Sequence, residues 1–128
     1  MLRKDLKANS IRVTGLKEAG FAALCANALS ADFDAVEPVQ SPGSLLFDAR
    51  TVSFTGKGPF VPFLPGAIYS LALSIPGFLR WGDVSLIAAL GHGSVDFVSP
   101  RTSDGSELTP AEIRKLRKEI RDVRSKLV

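Results

Sequence analysis

The chain is poor in the side chains from which catalytic and metal centres are most often built. Its 128 residues hold one histidine, one cysteine, one tyrosine and one tryptophan. One cysteine excludes an intrachain disulfide, and one histidine with one cysteine supplies neither a Cys-x-x-Cys nor a paired-His metal spacing. The neighbours of Cys25, namely Ala22, Ala23, Leu24 and Ala26, predict a buried thiol that packs as a small apolar group. Gly-rich phosphate loops are also missing: Gly56-Lys57-Gly58 is too short to cradle a phosphate. Asp32, Asp34 and Glu37 lie close together but lack calcium-loop spacing, and are expected to solvate the end of a helix. No cofactor, no metal and no small-molecule substrate are therefore expected.

Long uninterrupted apolar segments are missing as well. Residues 58–79 carry no charge, but Pro59, Pro62, Pro65 and Pro76 divide them and leave only 66–75 free of proline. A spanning helix needs about 20 residues, so no transmembrane span is expected and a membrane partner is disfavoured. No signal-peptide-like apolar stretch directly follows Met1-Leu2-Arg3-Lys4-Asp5. The expected location is intracellular, or in a particle assembled inside a cell.

The one constellation that resembles a catalytic set is Gly91-His92-Gly93-Ser94 with Asp96. Base, hydroxyl and carboxylate fall within five residues, yet along one strand they cannot converge as a triad does, from separate elements. His92 reads as a turn histidine whose flanking glycines supply positive φ. The chain is expected not to be an enzyme, and a small enzyme centred on His92 is the weakest of three functional expectations.

What the sequence does contain is pattern. Ile11 and Val13 alternate with polar residues and predict a short strand that Gly15 breaks. Residues 16–31 are Ala-rich, with Phe21, Leu24, Cys25 and Ala28 at helical spacing, and predict an amphipathic helix. Glu37-Pro38 and Ser41-Pro42-Gly43 read as the end of this half and a loop. The apolar parity changes within 44–55, as a hairpin or bulge would require. Residues 66–75 alternate as a strand does, although Ile68, Leu71, Ala72 and Ile75 also fit one helical face. Residues 84–90 and 95–98 read as two further strands joined by a Gly-rich turn. Residues 99–106 (SPRTSDGS) read as a flexible polar connection.

The final segment is the best specified. Thr109-Pro110-Ala111-Glu112 is a capping box with proline at the first helical position. Ile113, Leu116, Ile120, Val123 and Leu127 then form an apolar seam at alternating steps of three and four. Arg114, Lys115, Arg117, Lys118, Arg121, Arg124 and Lys126 make the rest of the helix basic. From 112 to 128, seven basic residues stand against three acids, whereas the whole chain is only +3, so the first 111 residues are −1. The basicity belongs chiefly to the helix. In a parallel pair of such helices Glu112 would face Arg117, and Glu119 would face Arg124.

These features predict an α+β fold: an antiparallel sheet, the N-terminal Ala-rich helix packed on it, and a C-terminal basic amphipathic helix that projects or docks at the edge. Residues 1–106 form the compact domain and 107–128 an interaction arm. The leading functional expectation is a structural subunit that associates with itself in a homomeric assembly of the phage- or virus-particle kind. The alternative is an accessory protein that binds nucleic acid through its basic helix, contacting the backbone without reading sequence.

Overall fold

A computed structural model of the protein describes residues 4–5, 7–45, 80, 82–102 and 105–127. The elements run β1 (Arg12–Leu16), α1 (Glu18–Leu29), β2 (Ala35–Val39), α2 (Val84–Leu90), β3 (Ser94–Val95) and α3 (Pro110–Leu127). The sheet has the order β1-β2-β3, and both pairings are parallel. Isolated parallel bridges at Val39–Val98 and Pro42–Arg101 carry the β2–β3 alignment onward.

The expected antiparallel sheet is thus corrected to a parallel one. The reason lies in two segments. Residues 84–90, read as a strand, form a helix whose Asp83 cap accepts from the Val84 N–H. Seven mostly apolar residues fit a buried strand and a buried helix equally well by pattern, and only packing separates them. Residues 35–39, read as part of a loop, form the central strand. Pro38 hides it, because proline removes a ladder donor and is normally confined to sheet edges. Here the Pro38 carbonyl still accepts from the Val98 N–H at 3.0 Å, and its ring is fully buried. With a helix between β1 and β2, the two strands run the same way.

In the polar stretch after Ser99, Pro100 and Arg101 are anchored rather than free. The Arg101 N–H donates to the Ser41 carbonyl at 2.9 Å, and the Gly43 N–H donates to the Arg101 carbonyl at 3.0 Å. Pro100 is fully buried, and its carbonyl accepts from the Leu108 N–H at 2.9 Å. Most of the 44–55 segment, read as a hairpin or bulge, and the whole of the 58–79 run lie outside the described residues. Ser44 and Leu45 are described, and both bond to the Asp83 carboxylate, the Leu45 N–H at 2.7 Å.

One core holds these elements: Phe21 and Leu24 from α1, Val36 from β2, Val84 and Ala88 from α2, Phe97 after β3, and Leu116 from α3. Each large side chain contributes about 1.5–3 kcal/mol on burial. α3 is seated against α2, and Leu116 makes it part of that core. No helix among the described residues is long and apolar enough to cross a membrane.

Candidate functional site

The most unusual backbone lies where β1 turns into α1. Gly15 does not break the strand but sits inside it, paired with Pro38. Lys17, the residue between strand and helix, has φ 56° and ψ −120°. That is left-handed space, which a side chain with a Cβ occupies at a cost of order 1–3 kcal/mol. What enforces it is a close approach of strand and helix. A Cβ on Gly15 would strike the Ala19 carbonyl and lie 2.6 Å from the Gly20 Cα, and one on Gly20 would strike the Ser41 hydroxyl. The segment Gly15-Leu16-Lys17-Glu18-Ala19-Gly20 therefore has small residues two positions either side of Lys17 and a third at Gly20. In its backbone the turn resembles the strand–elbow–helix turn, Gly-x-nucleophile-x-Gly, of some parallel-sheet enzymes, with lysine at the central position and Ala19 where that pattern has its second glycine.

The strain is not confined to Lys17. Leu16, Val39 and Val98 are aligned across the sheet. The residue after each of them is left-handed without being glycine: Lys17, Gln40 at φ 51° and Ser99 at φ 45°. The Lys17 N–H donates to the Val39 carbonyl at 2.8 Å, and the Gln40 N–H to the Val98 carbonyl at 2.9 Å. The Ser41 hydroxyl, two residues past β2, donates to the Lys17 carbonyl at 2.7 Å and fixes the elbow. Three strained residues in one row mark the carboxyl edge, the edge at which open parallel sheets place their ligands. Lys17 and Ser99 are exposed there, and Gln40 is half-buried.

His92 lies at the opposite edge. Buried Asn27, in α1, holds the loop by accepting from the Gly93 N–H at 2.9 Å and donating to its carbonyl at 3.4 Å. The His92 N–H donates to the Asn27 carbonyl at 3.2 Å, while the His92 side chain is exposed. The flanking glycines do not supply positive φ, which among the described glycines occurs at Gly82 and Gly105. They are needed for closeness: a Cβ on Gly93 would lie 2.6 Å from the Phe33 carbonyl oxygen. The register from Ala35–Ser94 to Val39–Val98 spans four residues, which puts about 13 Å between the two edges. His92, Ser94 and Asp96 do not converge on Lys17, and Asp96 pairs instead with Arg117 at 3.7 Å.

The terminal helix is arranged as follows. Thr109 and Glu112 close the capping box: the Thr109 N–H and hydroxyl donate to the Glu112 carboxylate at 2.8 and 2.7 Å, and the Glu112 N–H donates back at 3.3 Å. These bonds hold the Glu112 pKa below its ordinary value. Along the seam Leu116 is buried, Ile113, Ile120 and Val123 are half-buried, and Leu127 is exposed. Leu116 and Ile120 pack on the protein's own core, so pairing with a second helix through the middle of the seam would have to displace that packing. Of the basic residues, Arg124 is structural. Its guanidinium donates to the carbonyls of Ala88, Ala89 and Gly91 at 3.1–3.2 Å and caps the C-terminus of α2. Lys115 pairs with Glu119 at 3.9 Å, and Lys126 is exposed.

Two clefts of about 280 Å³ flank this helix. The first lies beside Gly43, Asp83, Arg101, Glu112 and Leu116. Its charges are mostly committed: Asp83 and Glu112 cap helices, and Arg101 faces Glu107 at 3.8 Å. The second is lined by Val95, Phe97, Ile120 and the arginines 117, 121 and 124. No group of metal-ligating side chains occurs among the described residues. Cys25, expected to be buried, is half-buried, and burial pushes its thiol pKa up.

Lys17 is the site residue that reading the sequence overlooked. Its signal was there, in small residues at spacing two around a lysine directly after a β pattern. Gly15 was taken as the end of the strand instead of part of the turn. In the comparisons with known proteins, no family model, no curated protein and no solved structure matches this chain.

Proposed function

We propose that this protein acts at the carboxyl edge of its sheet as a non-hydrolysing binding protein, its elbow presenting the Lys17 amine to an anionic oxygen group. The observation that carries this reading is the backbone of Lys17, held left-handed between Gly15 and Gly20. A strained non-glycine residue persists only where the surroundings over-determine it, and such residues cluster at functional sites. Acyl transfer from that position would require a base within hydrogen-bond reach. The single imidazole of the chain is at the other edge. The likeness is one of local geometry, and it carries the place of the site but not a hydrolase's chemistry.

The test is an amide-resolved NMR titration with acetate and with inorganic phosphate. Shifts centred on Lys17, Glu18, Gln40 and Ser99, lost in Lys17→Ser, are expected. Shifts confined to the loop 91–93, or identical in the variant, would remove the reading. Hydrolysis of an activated acetyl ester that depends on Lys17 would show that the edge is catalytic after all.

A specific observation also favours self-association, as a subunit of a homomeric, particle-like assembly. Alternation along the strands places Leu16, Val39 and Val98 on the face opposite α1, with Leu16 56% and Val98 38% exposed. Parallel sheets are ordinarily covered on both faces, and a second copy is one such cover. Light scattering after size-exclusion chromatography is expected to give an oligomer that Leu16→Glu reduces to a 13.7 kDa monomer. A wild type that stays monomeric at high concentration would end this reading.

A further inference from the structure

We infer that the outward pole of α3 is a docking surface for the phosphate backbone of duplex nucleic acid. Docking on α2 fixes which way the helix faces: Leu116 is buried, Ile120 and Val123 are half-buried, and Arg124 is spent on the carbonyls of α2. At 3.6 residues per turn the pole opposite Leu116 carries Arg114, Lys118 and Arg121, at i, i+4 and i+7. All three are exposed. Asp122, one turn beyond Lys118, is exposed beside the stripe and offsets part of its charge, whereas the other nearby acids are engaged elsewhere. Glu112 is held by Thr109, Glu119 pairs with Lys115, and Asp96 takes Arg117. The result is a stripe of three cations about 10 Å long at 1.5 Å per residue. That covers about three phosphate-to-phosphate steps at 3.4 Å of rise per strand.

The partner's class follows from what the pole lacks. Its helix has no aromatic residue on which unpaired bases could stack, so a single strand gains nothing beyond charge. Leu116 and Ile120 of its apolar side pack on the core, which leaves little apolar surface, Leu127 and the half-buried Ile113 and Val123, for an anionic membrane to take up. A row of guanidinium and ammonium groups on a rigid rod positions a duplex backbone without reading bases.

The experiment is fluorescence anisotropy of a labelled 20-base-pair DNA duplex titrated with the full chain between 25 and 200 mM KCl. Three neutralised phosphates predict that log K falls against log[salt] with a slope of about −3. The triple reversal Arg114→Glu, Lys118→Glu, Arg121→Glu is expected to abolish binding with an unchanged circular dichroism spectrum. Lys126→Glu, off the stripe, should stay within about twofold of wild type. Should the reversal perturb folding, the neutral Arg114→Gln, Lys118→Gln, Arg121→Gln variant must still lose at least tenfold. Absent binding at 25 mM, a slope flatter than −1, a triple variant that binds like wild type, or binding to phosphatidylserine vesicles without binding to the duplex would each overturn the inference.

Discussion

The two edges of the sheet are built on opposite principles. At the amino edge, buried Asn27 meets both backbone groups of Gly93, and the loop carrying His92 is held by satisfied hydrogen bonds. At the carboxyl edge, Lys17, Gln40 and Ser99 sit in left-handed conformations, and Gly15 and Gly20 let strand and helix approach closely at Lys17. The first edge gains stability from its side chains. The second gives some up to hold a backbone shape, and it is on that strain that the proposed anion site rests.

Substitutions should pull this contrast apart. The largest effect is expected from Gly15→Ala. Its methyl must enter the backbone of α1, and overpacking against backbone should destabilise by about 3 kcal/mol, read from the shift in urea midpoint. A near-neutral result would mean that strand and helix are not in close contact, and the elbow argument would go with it. Asn27→Ala strands the Gly93 N–H and carbonyl in the interior. It should cost about 2–3 kcal/mol while leaving the carboxyl-edge amides unmoved in NMR spectra. At Lys17 the sign should invert: Lys17→Gly relieves the strain and is expected to stabilise by about 1 kcal/mol, while removing the anion-induced shifts. A destabilised Lys17→Gly would show that the lysine makes contacts worth more than the strain.

The smallest effect belongs to α3, which lies outside the contrast and serves as its control. Thr109→Ala should cost about 1 kcal/mol through loss of the cap. The Thr109 bonds depress the pKa of Glu112 in the folded state below its ordinary 4.5. Their contribution is therefore complete above that value and is lost as the pH falls through the depressed one. The stability difference between wild type and Thr109→Ala should shrink correspondingly in acid titrations of the urea midpoint. A difference that persists undiminished in acid would assign the cap to the Thr109 hydroxyl alone.

How legible each part was follows the range of the forces involved. α3 could be read almost residue by residue, because a capping box, an N1 proline and a 3/4 apolar repeat act within one or two turns. The existence of α1 was legible from its alanines. Its closeness to β1 was not, because that depends on how Gly15 meets Ala19 around the elbow and how Gly20 meets Ser41 across 21 residues. β2 was missed because Pro38 lowers local strand propensity, and neighbours on both sides, β1 and β3, override it. α2 was misread because a seven-residue apolar run carries no period to choose by.

The sequence by itself determined the scarcity of catalytic side chains, the basic terminal helix and its cap, and the break-up of the charge-free run by proline. All of these are compositional or act between residues a few positions apart. Only the tertiary structure decided that the sheet is parallel, that the seam of α3 faces the protein's own core, and that Lys17, Gln40 and Ser99 stand in one strained row. Those depend on contacts between residues 20 to 80 positions apart, whose free energies no local pattern encodes.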